Sequence, residues 1–289
     1  MKFLPVFLTL MISAAAQQPA PPANQVEKRG ITISREGART GLGTSRLPRG
    51  FAILVGVNSA KAKFAERDAQ ALYDVLLSSN AGNFAEQDIR LFTGAAATPA
   101  KLREAIETWL PSAAAESDRV LFYFAGEAAV CQGKTYLALK DLDPNRCDQT
   151  AYPFAALATV LSSQVKARWK AVFTDASHGA SPTPETSNQA VNQQLGNLQN
   201  GILSITASRR QESALEDPAL GGGHGLFTYY LMEALKGQAD RNQDGLITAD
   251  ELIEYVRSRV RDHAQQRSAR QTPTESGDFD PEFPFAFRK

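Results

Sequence analysis

The chain has 289 residues, of which 43% are hydrophobic and 21% are charged, so it holds enough apolar material for one large core or two small ones. This composition excludes a chain that is wholly disordered, coiled-coil or collagen-like. Because Lys and Arg total 31 and Asp and Glu also total 31, no overall positive field attracts a polyanion, and the sequence shows no local basic patch. We therefore expect no nucleic-acid partner.

The N-terminus has the pattern of a secretory signal. Lys2 precedes an apolar run from Phe3 to Ile12, and small residues follow up to Ala16. The run is much shorter than the roughly 20 apolar residues that span a bilayer, which disfavours an uncleaved anchor. We predict cleavage of residues 1–16, a secreted or periplasmic protein, and no membrane contact afterwards.

Residues 17–50 are predicted to be a disordered linker. The segment begins QQPAPPANQ and continues with Arg, Gly, Ser and Thr, without a sustained hydrophobic period. An ordered arm that contacts the domain near Ile31–Ile33 is the alternative. The remaining residues, 51–289, are predicted to form one domain.

Apolar runs alternate with helical periods along this domain. Runs bounded by polar residues predict buried strands at 51–57, 120–124, 171–173 and 202–205. Between them, apolar residues recur with helical spacing from Ala69 to Leu76 and from Leu102 to Leu110, the second after Thr98 as N-cap and Pro99 as first helical residue. The pattern predicts an α/β fold, a mostly parallel sheet with helices on both faces.

Two segments follow predicted strands at the edge where sites of such sheets collect. They are Ala125–Ala128, which contains Glu127, and Thr174–Gly179, which contains Asp175, Ser177 and His178. We predict both segments to be turns that bring Glu127 and Ser177 face to face. The alternative is that both are ordinary loop residues.

Seven segments follow one another between residues 51 and 278: FAILVGV, ERDAQALYDVL, VLFYFAGE, TYLALKDLDP, KAVFTDASHG, ILSITASRRQESALE and HGLFTYYLMEALKG. In this order they resemble the caspase-like fold of bacterial metacaspase-type peptidases, the peptidase C14 family. The resemblance implies a catalytic His at position 127 and a catalytic Cys at position 177. Here Glu127 and Ser177 occupy these positions. The resemblance also implies that Asp175 receives a basic side chain of the substrate. The alternative is that Asp175 caps the turn through backbone N–H groups.

These two replacements remove the usual chemistry. A cysteine is partly ionised at neutral pH, whereas a serine hydroxyl needs a well-placed base. Glu127 is a weak base, and His178 adjoins Ser177 in the chain. We therefore expect a degenerate pseudopeptidase that binds a peptide or protein. The alternative is an active endopeptidase that uses Ser177 with Glu127 or His178.

The two cysteines are expected to pair. In an exported protein, Cys131 and Cys147 are predicted to form a disulfide that closes a loop of about 16 residues and contributes roughly 3 kcal/mol. Two buried free thiols, or a relocated nucleophile, remain as alternatives.

A calcium-type loop lies near the C-terminus. Residues 240–251, DRNQDGLITADE, match the spacing of an EF-hand loop, with Gly245 at the sharp turn and helical periods on both sides. Thr248 and Glu251 also form a capping box that starts a helix without metal. If the loop binds calcium, we expect the ion to brace the C-terminal helices. A third hypothesis for the function is a calcium-binding adhesion or scaffold module. The predicted ligands are Asp240, Asn242, Asp244, Leu246, Thr248 and Glu251.

Overall fold

A computed structural model describes residues 47–178, 201–209 and 212–288. The predicted signal segment, the linker as far as residue 46 and the polar stretch 179–200 lie outside the described residues.

Twelve strands and seven helices are defined in the described part of the chain. The strands are β1 Gly50–Gly56, β2 Ile89–Thr93, β3 Arg119–Cys131, β4 Lys134–Ala138, β5 Ala151–Pro153, β6 Trp169–His178, β7 Ile202–Thr206, β8 Glu216–Asp217, β9 His224–Gly225, β10 Leu246–Thr248, β11 Thr274–Ser276 and β12 Pro284–Phe287. The helices are α1 Ala65–Leu77, α2 Pro99–Arg103, α3 Leu110–Ala113, α4 Cys147–Thr150, α5 Phe154–Ser163, α6 Leu226–Glu233 and α7 Ala249–Gln266. Short 3₁₀ turns span Glu86–Asp88 and Gly94–Ala96, and π-helical turns span Glu104–Trp109 and Ala234–Gln238.

The main sheet has the strand order β11-β7-β6-β3-β1-β2. Its strands are parallel except for β11, which runs antiparallel to β7. The end of β3 extends beyond this path and pairs antiparallel with β4, which in turn pairs with β5. Two small antiparallel pairs, β8 with β9 and β10 with β12, lie outside the main sheet.

Both faces of the sheet are covered, as the sequence predicts. Side chains of β1 alternate: Leu54 packs in a cluster with α1, α6 and α7, whereas Ile53 packs in a second cluster with α2 and α5. The predicted buried strands correspond to β1, β3, β6 and β7. Thr98 caps α2, because its side chain accepts a hydrogen bond from the Lys101 N–H at 3.4 Å. None of the described helices is long and apolar enough to cross a membrane.

The two predicted edge turns are corrected by the structure. Ala125–Ala128 continues β3 and Thr174–His178 continues β6, and the two segments pair with each other in parallel register. The prediction was wrong because β6 stays paired with β3 through Ala128, where pairing of β3 with the returning strand β4 begins. The apolar run stops at Phe124, but the backbone pairing does not.

A buried arginine joins the two ends of the domain at the start of β3. Arg119 is 2% exposed, and burial lowers its pKa to about 9, so it stays charged at neutral pH. Its guanidinium lies 4.4 Å from the centre of the Phe84 ring. It donates to the backbone carbonyls of Pro48, Gly82, Pro284 and Phe285. We call this arrangement the Arg119 clamp.

Arg119→Met is expected to lower the free energy of unfolding by about 3 kcal/mol or more, because it leaves several buried carbonyls without a donor. Urea unfolding measures the change. Arg168→Met is the matched control: Arg168 also stacks on an aromatic ring, Trp169 at 4.4 Å, but its side chain is 65% exposed. Equal losses in the two variants would contradict the clamp.

Candidate functional site

The central strands β3 and β6 bring positions 127 and 177 together. In the parallel register of β3 and β6, Glu127 lies opposite Ser177, and Ala125 lies opposite Asp175. Glu127 is partly buried. The side chains of Ser177 and His178 lie outside the described part of the structure. The backbone alone therefore establishes that positions 127 and 177 are neighbours, as the sequence predicts.

Both cysteines of the chain are joined in a disulfide, which confirms the predicted pair. Cys131 ends β3 and Cys147 begins α4, with their Cα atoms 6.4 Å apart. The pair packs beside Tyr136 and Ala151. Because both sulfurs are bonded, neither supplies a thiolate in this state of the protein.

Asp175 lies in a buried polar network at the end of β6. Its side chain is almost completely enclosed, and its Oδ2 accepts hydrogen bonds from the Thr228 N–H at 3.3 Å and the Thr228 hydroxyl at 2.7 Å. The Tyr123 hydroxyl in turn lies 2.6 Å from Thr228 Oγ1. Asp175 thus binds the first turn of α6, where backbone N–H groups and the helix dipole favour a negative charge.

A second buried carboxylate, Asp68 of α1, approaches the same place. Asp68 Oδ1 lies 2.6 Å from His224 Nδ1, and Oδ2 accepts from the Gly225 N–H at 3.1 Å. Gly225 fits between the carboxylates because it has no side chain: a Cβ atom there would lie 2.4 Å from Asp175 Oδ2 and 3.2 Å from Asp68 Oδ2. The network therefore requires glycine at position 225.

These carboxylates line a small pocket, the acidic pocket. Its wall includes Asp68, Asp175, Glu216, Lys61 and Leu215. Glu216 also accepts the Phe64 N–H at 3.0 Å, just before α1 begins. The enclosed space is about 10 Å³, enough for about one water molecule. The carboxyl groups are therefore already assembled around the pocket, but its free volume is too small for a side chain.

Burial and repulsion from nearby carboxylates shift both carboxyl groups toward the neutral form. Burial, with the nearby Asp68 charge as a second cause, raises the pKa of Asp175 to about 7. Burial likewise raises the pKa of Asp68, against the opposing hydrogen bonds from His224 and Gly225. A cation entering the pocket would favour the charged forms of both groups.

Several solved structures share the fold of this chain. The protein GSU0716 from Geobacter sulfurreducens aligns with a TM-score of 0.56 and 18% identity over 84% of this chain and 100% of that one. The Drosophila initiator caspase Dronc aligns with a TM-score of 0.51 and 12% identity over 93% and 99%. Caspase-1 from Spodoptera frugiperda aligns with a TM-score of 0.53 and 13% identity over 86% and 94%. The fold is caspase-like.

At these identities the likeness concerns the caspase-like fold. No protein-family model matches the sequence, and no curated protein matches it. The chemistry that this caspase-like domain carries must therefore be argued from its own residues.

Sequence reasoning missed most of the acidic pocket. Asp68, His224 and Glu216 come from α1, β9 and β8, far from Asp175 in the chain. Asp68 carries a signal that could have found it: it lies on the buried stripe of α1 that also contains Ala65, Ala69 and Leu72. A lone carboxylate on an apolar helix face needs a buried partner, and here the partner is His224.

The predicted calcium loop forms a tight turn that its own side chains hold. Asp240 Oδ2 accepts the Gly245 N–H at 3.0 Å, Asn242 Oδ1 accepts the Asp244 N–H at 2.9 Å, and Asp244 Oδ1 accepts the Leu246 N–H at 2.8 Å. Gly245 has a φ of 83°, which glycine adopts without strain. Three side chains of the loop therefore accept hydrogen bonds from backbone N–H groups of the loop itself.

The second half of the loop forms the expected capping box. The Thr248 side chain accepts the Glu251 N–H at 3.5 Å, and Glu251 Oε2 accepts the Thr248 N–H at 3.2 Å. Glu251 Oε1 accepts the Arg241 N–H at 3.2 Å. Among the described residues, no three His, Cys, Asp or Glu side chains are gathered closely enough to hold a metal ion. One oxygen, Asp240 Oδ1, is buried without a hydrogen-bond partner.

Asp175→Asn is expected to make the protein more stable at pH 8 by up to about 4 kcal/mol, with a much smaller effect near pH 4. The folded carboxyl has a pKa of about 7 against an ordinary value of 3.8. The folded state therefore holds the proton more tightly, and the stability this group contributes falls as the pH rises from about 4 through 7. Asparagine does not titrate and can still accept from Thr228.

Urea unfolding of both proteins at several pH values measures this difference. Asp141→Asn, at an exposed position, is the control and should leave the pH dependence of stability unchanged. A constant difference between Asp175→Asn and the parent protein from pH 4 to pH 8 would contradict a raised pKa.

Proposed function

We propose that this protein is a non-catalytic member of the caspase-like architecture that binds a peptide or protein segment through a basic side chain. The observation that carries the proposal is the pairing of β3 with β6. It sets Glu127 beside Ser177 and, two residues earlier in β6, holds Asp175 in the acidic pocket. In this proposal Asp175 still binds a basic side chain, whereas Glu127 and Ser177 stand in place of the catalytic His and Cys.

The fate of the other reactive groups supports the absence of turnover. Cys131 and Cys147 are bonded to each other. His224 is engaged by Asp68, and His263 contacts the Tyr230 hydroxyl at 2.9 Å and Asp217 at 3.1 Å. Two of the imidazoles and both sulfurs therefore already have partners away from Ser177. Ser177 would depend on Glu127 or His178 as its base.

Charge complementarity supports a basic ligand. Asp68, Asp175 and Glu216 line the pocket, and Lys61 is the one basic side chain among the described residues that line it. An Arg or Lys side chain would pair with these carboxylates and relieve their mutual repulsion. Because the free space is about 10 Å³, a basic side chain can enter only if the lining of the pocket moves outward.

Export is part of the proposal. The disulfide supports an oxidising compartment, where such bonds persist. The mature chain would begin at Gln17, and N-terminal sequencing of the exported protein identifies its first residue.

The mature chain is expected to bind Arg-containing peptides without cleaving them. Affinity should rise between about pH 6 and pH 8 as Asp175 loses its proton. Asp175→Asn should weaken binding at pH 8 by about tenfold, whereas Asp141→Asn should not. Fluorescence anisotropy measures binding, and mass spectrometry of the same mixtures detects any cleavage products.

Two outcomes would decide against this proposal. Products from Arg-, Lys- or Asp-containing peptides that Ser177→Ala abolishes would establish the alternative, an active endopeptidase using Ser177. Equal binding of Arg-containing peptides and their Gln counterparts would remove the acidic pocket as the recognition site.

A second proposal concerns calcium at residues 240–251. The buried, unpartnered Asp240 Oδ1 favours it, since such an oxygen lacks the partner that a cation would provide. Asp240, Asn242, Asp244, Thr248, Glu251 and the Leu246 carbonyl would hold the ion. Since β10 pairs with β12, binding would brace the C-terminal strand.

Calcium at millimolar concentration is expected to raise the melting temperature and release or absorb heat in calorimetry, with a dissociation constant of about 10⁻⁴ to 10⁻³ M. Asp244→Asn should weaken binding because it removes a charge while keeping an oxygen acceptor for Leu246. Asp250→Asn, an exposed change outside the predicted ligands, is the control. The absence of both signals would refute the calcium site.

A further inference from the structure

A second pocket of opposite charge lies beside the acidic pocket. Its volume is about 470 Å³, and it lies between residues 209–212 and the segment that follows α7, 268–272. Three arginines line it: Arg209, Arg261 and Arg270. We call it the arginine pocket.

The positive charge of the arginine pocket is only partly balanced. Its carboxylate, Glu212, accepts from the Thr272 N–H at 2.6 Å and the Thr272 hydroxyl at 3.1 Å. Arg261 pairs with its neighbour Asp262 at 3.1 Å. Both side chains are exposed, and the attraction within such a surface ion pair is weak. Within the described ranges, Arg209 and Arg270 form no ion pair. Their guanidinium groups remain suited to bind a carboxylate in a bidentate manner.

A buried glutamine fixes the two pockets relative to each other. Gln271, which is 1% exposed, donates to the Ala207 carbonyl at 3.0 Å and accepts the Leu215 N–H at 2.9 Å. Gln271 lines the arginine pocket, and Leu215 lines the acidic pocket. One side chain therefore connects the walls of both sites.

The spacing between the pockets suits a short extended peptide. Glu212 lines the arginine pocket and Glu216 lines the acidic pocket. Their Cα atoms are four residues apart in the chain and therefore lie at most about 14 Å from each other. An extended peptide advances about 3.3 Å per residue. Side chains up to about four positions apart can therefore reach both walls.

We propose that the arginine pocket binds an acidic side chain of the same peptide whose basic side chain enters the acidic pocket. This inference rests on the proposed function and makes the recognised segment bipolar, with a basic residue and an Asp or Glu about three or four positions away. Oppositely charged subsites also fix the direction in which the peptide lies, because the reversed peptide would place like charges together.

The test uses fluorescent peptides on the mature, disulfide-bonded chain. Three control peptides contain Arg without Glu, Glu without Arg, or neither residue. The other peptides contain both, two to six positions apart, with Glu either before or after Arg. We expect Glu at about three or four positions, on one side only, to tighten binding about tenfold over Arg alone. The gain should shrink in about 1 M salt, where charges are screened beyond about 3 Å.

Variants separate the two pockets. Arg270→Gln and Arg209→Gln should remove the gain from Glu and leave the affinity for the Arg-only peptide unchanged. Asp175→Asn should weaken binding of every Arg-containing peptide. Lys101→Gln, which removes one positive charge from α2, is the charge-matched control and should change neither.

The outcomes distinguish this inference from the proposed function. Binding of Arg peptides with no gain from Glu at any spacing, or a gain that survives both arginine variants, overturns the arginine pocket and leaves the proposed function standing. Binding of the Glu-only peptide that Arg270→Gln abolishes, with no contribution from Arg, retains the arginine pocket and refutes the proposed function. No binding of any peptide refutes both.

Discussion

The parallel pairing of β3 with β6 is the contact on which the rest of the site depends. Ten consecutive residue pairs, from Arg119 with Trp169 to Ala128 with His178, hold the strands in one register. A shift of one residue would turn the alternating side chains to opposite faces and separate Asp175 from the first turn of α6. The same pairing thus determines the packing of the core, the contact between positions 127 and 177, and the acidic pocket.

The acidic pocket lowers the stability of the fold. Two carboxylates share an enclosed space, and burial raises the pKa of each. Hydrogen bonds from Thr228, Gly225 and His224 offset part of the cost. A protein selected for stability alone would replace such a pair with apolar side chains, so its presence is typical of a binding or catalytic site.

The sequence predicted the layered sheet because apolar runs and helical periods are local signals. It also predicted the neighbouring positions 127 and 177 and the disulfide between Cys131 and Cys147. It could not predict that β3 and β6 extend past their apolar runs, since that extension depends on pairing with each other and with β4. Nor could it predict the acidic pocket, because Asp68 and His224 are 156 positions apart and meet only in the folded chain.

The Arg119 clamp bears on when the domain can finish folding. Two of its acceptors, Pro284 and Phe285, lie 165 and 166 positions after Arg119 in the chain. Contacts so distant in sequence form only after a long loop has closed. Until β12 is in place, the buried guanidinium lacks two of its acceptors, so completion of the core depends on the docking of that strand.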